Sequence, residues 1–145
     1  MKKAILRAVA LTLILVLVLS TASYAAVTSS LYIAATNAYI TRSGNSVTVY
    51  FYIVGTGMMD KIGADKIYLY EKNGSAWNLV KVFDSADSFY YSSLISTNIS
   101  AKSSSVTYTE GSAAKNYFAI VNFYAEKDGG SDTIPQDTPT SYGIG

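Results

Sequence analysis

Nine consecutive residues, Ser46 to Val54, alternate without interruption between two kinds of side chain. Val47, Val49, Phe51 and Ile53 fall on one side; Thr48, Tyr50, Tyr52 and Val54 fall on the other. A period of two is what a strand presents when one face is buried, and a helix would scatter these residues around its circumference. Asn116 to Lys127 repeats the pattern, with Tyr117, Ala119, Val121 and Phe123 opposed to Phe118, Ile120, Asn122 and Tyr124. Two long half-buried strands need a second layer to cover their apolar faces.

The intervening sequence predicts more strands and few helices. Ala38 to Arg42 reads as a strand, and Ser43-Gly44-Asn45 as the turn that joins it to Ser46. Gly55-Thr56-Gly57 is expected to end the alternating strand. Met58 to Ala64 then reads as a loop or single helical turn, with Met59 and Ile62 dipping into the core. Asp65 to Lys72 and Ala76 to Asp84 form a hairpin around Asn73-Gly74, for which a type I′ turn is expected. Ser85 to Ser105 carries no clear period and reads as an irregular strand with a long loop. Val106 to Thr109 is a short strand, and Asp128-Gly129-Gly130 turns the chain into a last one. Leu31 and Ile33 are expected to touch the core from an edge. Pro135 and Pro139 are expected to end regular structure, leaving a frayed end. The fold class expected is all-β: an antiparallel β-sandwich of about seven strands, with no helix in the folded domain.

The N-terminus has a different character. Met1-Lys2-Lys3 and Arg7 are followed by an apolar run from Ala8 to Leu19, then by small residues from Ser20. This is the order of a cleavable secretory signal peptide, with a helical apolar segment. Ser23 and Ala25 suit cleavage after Ala25. The run is about 12 residues, short of the roughly 20 that span a bilayer. The expected organisation is a signal peptide over 1–25, a lead-in over 26–36, the sandwich over 37–135 and a flexible tail over 136–145. The protein is expected to be secreted and extracellular, meeting a membrane only through its leader.

Removal of the leader takes Lys2, Lys3 and Arg7, leaving 8 basic against 10 acidic side chains. No basic cluster remains to hold nucleic acid or an anionic membrane. The chain has neither histidine nor cysteine. Ser-His-Asp and Cys-His nucleophiles are therefore excluded, as are thiolate and imidazole metal sites. No disulfide can staple the domain. Paired carboxylates could hydrolyse a glycoside, but Asp84 with Asp87 and Glu126 with Asp128 lie at strand ends, where solvated turn residues are the simpler account. Asp128 to Asp132 has oxygen ligands for calcium without the full loop that calcium needs, so a plain hairpin turn is the favoured reading. No cofactor or catalytic residue is expected.

Glu110-Gly111-Ser112-Ala113-Ala114-Lys115-Asn116-Tyr117, followed by Ala119 and Val121, resembles the corner that leads into the sixth strand of immunoglobulin and fibronectin type III domains. In those domains a tyrosine hydroxyl bonds back to the backbone across the corner. The resemblance implies that role for Tyr117. Ala119 stands where an antibody-type domain has its second cysteine, so the resemblance is to the disulfide-free members. Residues 30–135 also resemble a group of short exported proteins typical of Firmicutes, through Gly57 to Ala64, Ile67 to Trp77, Tyr117 to Tyr124 and Gly130 to Thr133. That resemblance implies a small immunoglobulin-like sandwich and carries no established activity.

What remains is an aromatic set. Tyr50, Tyr52, Tyr68, Tyr70, Trp77 and Tyr124 are expected to share one sheet face, where they either brace the sheet or bind a ligand. A non-enzymatic adhesion or interaction module that binds an extracellular protein is one expectation. A module that binds cell-wall glycan, or a bacteriocin-like antagonist, is the other.

Overall fold

A computed structural model describes residues 30–143. The leader expected over residues 1–25 lies outside them. The described chain is an antiparallel β structure with one short helix. In order these are β1 (Ile33–Ser43), β2 (Ser46–Asn73), β3 (Ala76–Asp84), α1 (Ser88–Leu94), β4 (Ile95–Tyr108), β5 (Tyr117–Lys127) and β6 (Gly130–Asp137).

β2 organises the molecule. It runs for 28 residues, straight through the Gly55-Thr56-Gly57 segment that was expected to stop it, and Met58 to Ala64 is strand rather than loop or helical turn. Pairing with β4 slips between Val54 and Met59, so the ladder is interrupted there while the strand continues. This continuity is why six strands appear among the described residues instead of about seven.

The two ends of β2 have different neighbours, while β4 runs beside it as far as Gly63. Tyr39 of β1 and Ser105 of β4 both lie opposite Tyr50. Val82 of β3 and Ile120 of β5 both lie opposite Tyr68. β6 extends the sheet beyond β5. Both halves point their apolar side chains into one core. Val47, Val49, Phe51 and Ile53 are buried as the alternation predicts, and so are Ile67, Leu69, Val121 and Phe123. Phe51 and Phe123 meet edge to face with ring centroids 6.3 Å apart, joining the first half of β2 to β5.

The inward side of β2 changes along its length. Odd-numbered residues are buried up to Met59, then Ile62 and Ala64, then Ile67 and Leu69. A bulge between Ala64 and Lys66 causes the second change, leaving Asp65 out of the ladder with β5. Gly63 sits between these changes. A Cβ built there would lie 1.8 Å from the Leu94 carbonyl oxygen, so the end of α1 crosses β2 where only glycine fits.

Four further expectations need correction. The turn after Asn73 is made by Gly74 and Ser75, since Asn73 pairs with Ala76. Only Gly74 has positive φ, which suits type II′ rather than type I′. Ser85 to Ser105 holds α1 and the first part of β4 in place of a long loop. Asp87 caps α1 by accepting from the Phe89 N–H at 2.9 Å, and Leu94 is its one buried residue. Leu31 is 78% exposed, although Ile33 is buried as expected. The C-terminal segment is pinned as far as Gly143. β6 passes through Pro135, which as an outer-strand residue need not donate to the ladder. Thr138 is buried and its hydroxyl accepts from the Ala119 N–H. Tyr117 and Ser141 exchange backbone hydrogen bonds.

Candidate functional site

Because β2 changes partners along its length, the six aromatic residues singled out from the sequence do not sit together. They separate into two outward surfaces and a cleft.

The first surface is the outer side of β1, the first half of β2 and the end of β4. Cross-strand register sets its rows. Thr41, Thr48 and Thr107 form one row; Tyr39, Tyr50 and Ser105 form the next; Asn37, Tyr52 and Ser103 the third; Ala35, Val54 and Ala101 the last. No residue in these rows carries a charge. The Tyr39 and Tyr50 rings stack with centroids 4.9 Å apart and 7° between their planes. Thr48 and Thr107 hydroxyls are 3.0 Å apart. Tyr39, Tyr50 and Tyr52 are all exposed. Tyr39 is absent from the set expected from the sequence: Ser43 was expected in the turn, whereas it pairs with Ser46, and this sets Tyr39 opposite Tyr50.

The second surface is the outer side of β3, the second half of β2 and β5. Tyr70 stacks on Phe118 at 4.9 Å, and Trp77 meets the same Phe118 ring edge to face at 4.7 Å. Lys72 Nζ lies 5.8 Å from the Trp77 ring. Trp77 is 36% exposed and neighbouring Leu79 is 50% exposed. Tyr68 lies on this side, opposite Val82 and Ile120. Phe118 and Leu79 are the members that sequence reasoning left out.

Tyr124 stands apart at the far end of β5. Its hydroxyl donates to Glu126 Oε2 at 2.5 Å, and Lys61 Nζ lies 3.1 Å from the same oxygen. Together with Asp65, Ser85, Tyr91 and Ile95, Lys61 and Tyr124 line a shallow cleft of about 330 Å³. The Tyr124 hydrogen bond, then Lys61, holds the Glu126 carboxyl below the usual carboxylate range. Glu126 holds the Lys61 ammonium above its ordinary value, and burial pushes the Tyr124 phenol up. All three shifts move away from neutrality, so the group is an ion pair with a neutral phenol, not an acid–base pair poised near pH 7.

Asp84, Asp87 and Asp132 have structural partners for their carboxylates. Asp84 accepts from the Ala86 N–H and pairs with Lys66 at 3.0 Å. Asp87 is the helix cap. Asp128 lies in the β5–β6 turn, and its N–H donates to Asp60. Asp132 Oδ2 accepts from Ser30 Oγ and from the Leu31 and Tyr32 N–H groups, tying the start of β1 to β6. Among the described residues, no three carboxylates are grouped to hold a metal ion.

Tyr117 is fully buried at the corner before β5. Its hydroxyl accepts from the Ser112 N–H at 2.7 Å, five residues upstream, and donates to Glu71 Oε2 at 2.5 Å. The phenol thus joins the corner backbone to a carboxylate on the second half of β2.

No protein-family model matches the chain, and comparison with curated proteins and with solved structures gives no match.

Proposed function

We propose that this protein is an extracellular, non-enzymatic interaction module that binds a protein partner through the outer face of β3, β2 and β5. The observation that carries this reading is the Tyr70–Phe118–Trp77 cluster with Leu79 beside it. These side chains lie on the side of the sheet away from the core. Tryptophan, tyrosine and phenylalanine are enriched at protein-binding surfaces, and tryptophan and tyrosine at their hot spots. The pKa shifts in the Tyr124 cleft, all away from neutrality, favour binding over catalysis.

The scaffold we propose is a fibronectin type III-like sandwich. If the two halves of β2 are counted as separate strands, the total is seven. One layer is then β1, the first half of β2 and β4; the other is β3, the second half of β2, β5 and β6. The Phe51–Phe123 contact and the Tyr117 corner support this arrangement. The leader-like N-terminus supports an extracellular site of action.

The test is a Trp77→Ser/Leu79→Ser double variant. Both positions are on an exposed face, so the variant should keep its melting temperature within a few degrees. Binding of the labelled parent protein to intact cells of the host should be abolished by protease treatment of those cells, and the double variant should bind at least tenfold more weakly. Binding that survives protease treatment, or that the double variant retains, overturns the reading.

A further inference from the structure

The uncharged outer surface of β1, the first half of β2 and β4 carries a second inference, independent of the Trp77 face. We propose that it binds a neutral polysaccharide, a chain of uncharged pyranose rings, with Tyr39, Tyr50 and Tyr52 as the stacking platform.

Charge is the first argument. Eight basic and ten acidic side chains remain beyond the leader-like segment, yet none occupies the four rows of this face. A polyanion would find no cation to neutralise it, and a polycation no carboxylate. The partner that complements such a surface is itself neutral.

Hydrogen-bonding chemistry is the second. Tyrosine, serine and threonine hydroxyls each donate and accept, and the Asn37 amide does both. A sugar presents the same mixed groups along both edges of its ring. Adjacent strands lie about 4.8 Å apart, and successive rows lie about 6.7 Å apart. Such a grid offers repeated partners to a repeating polymer.

Stacking is the third. The near-parallel Tyr39 and Tyr50 rings stack on each other and both residues stay exposed, with exposed Tyr52 one row away. An exposed ring face attracts the C–H face of a pyranose as it does other apolar surface. A second copy of this chain is a poorer occupant. Pressing two hydroxyl-rich faces together would bury many donors and acceptors without water, and each one left unpaired disfavours the contact.

The test uses cellulose and chitin particles as neutral polymers, with alginate beads as the polyanion. The protein should be retained on at least one neutral polymer. Retention should be unchanged between about 0.05 and about 0.5 M salt, because ion pairing plays no part. Tyr50→Ser/Tyr52→Ser should weaken binding at least tenfold. Ser103→Lys, at an exposed position beside Tyr52, should weaken it several-fold in a chain whose fold is undisturbed. Trp77→Ser should leave it unchanged, which separates this surface from the protein-binding one. Retention on alginate alone, retention on no polymer, or equal retention of both Tyr50/Tyr52 and Ser103 variants overturns the proposal. So does a concentration-dependent dimer that the Ser103→Lys variant dissolves.

Discussion

The Tyr117 hydroxyl donates to Glu71 Oε2 at 2.5 Å while accepting from the Ser112 N–H at 2.7 Å. One buried oxygen thus ties β5 to the second half of β2 and closes the corner that leads out of β4. A phenol held in this way resists ionisation. Burial first, and the Glu71 carboxylate second, push the Tyr117 hydroxyl up to about 12.

Stability should therefore fall at alkaline pH. An unfolded tyrosine ionises near 10. The folded value is higher, so the contribution of Tyr117 is complete below pH 10 and disappears as pH rises towards 12. Its size is about 2–3 kcal/mol. Urea midpoints measured from pH 8 to 12 should show that loss. Tyr117→Phe should cost about 1–3 kcal/mol at neutral pH, since it leaves the Ser112 N–H and Glu71 without their partner. The same variant should reduce the alkaline slope, and the late phase of the tyrosinate absorbance titration should shrink by one residue.

Glycine 63 and glycine 57 provide a matched pair on the same strand. A Cβ at Gly63 would sit 1.8 Å from the Leu94 carbonyl oxygen and 2.9 Å from its carbon, both backbone atoms. Gly57 has no atom within 4 Å of its would-be Cβ. Gly63→Ala must displace the end of α1, and overpacking of this kind costs about 1–3 kcal/mol or more. Gly57→Ala should change stability by less than about 1 kcal/mol. Thermal melts of the two variants compare them directly.

How far the sequence discloses this arrangement depends on whether its signals are local. The alternation from Ser46 to Val54 is local, and Val47, Val49, Phe51 and Ile53 are buried as it predicts. So is the turn signal at Gly44-Asn45, although counting Ser43 into the turn shifts the partner of Tyr39 by one residue, from Tyr50 to Val49. The division of the aromatic set is not local. It follows from the change of partners along β2 and from the bulge at Asp65, which leave no local mark in the sequence. Trp77 is placed opposite Lys72 by the turn after Asn73 itself, ahead of the slip between Leu69 and Tyr70. Helix α1 is seven residues with one buried side chain, so Asp87 as a cap is nearly its whole signature. The pinned C-terminus depends on Arg42, Asn116 and Ala119, all distant in sequence from the segment they hold.

Asp132 should act as an acid-sensitive latch on the start of β1. The Ser30 hydroxyl, followed by the Tyr32 and Leu31 N–H groups, holds its carboxyl below the usual range. With the folded value depressed, the stabilisation is present above the unfolded value near 3.9 and is lost as pH falls through the folded one. The amide resonances of Leu31 and Tyr32 should shift together over that acid range. Asp132→Ala should reproduce the low-pH positions at neutral pH while leaving amides in the middle of β5 where they were.

Arg42 should be irreplaceable by lysine. Its Nη1 donates to the Ala113 and Lys115 carbonyls at 2.8 and 2.6 Å and lies 3.3 Å from that of Ser112, while Nη2 donates to the Tyr142 carbonyl at 2.8 Å. One planar fork thus gathers the corner before Tyr117 and the C-terminal segment against β1. A lysine has a single nitrogen and cannot address two separate segments with fixed geometry. Arg42→Lys leaves carbonyls of both segments to find water, at a cost of about 1–3 kcal/mol. The C-terminal segment has fewer other bonds than the corner, so it should release first. Limited proteolysis should clip the variant after Thr138 before any cut within β5. Native-state hydrogen exchange should show the Ser141 and Gly143 amides losing protection while those of Ala119 to Phe123 retain theirs.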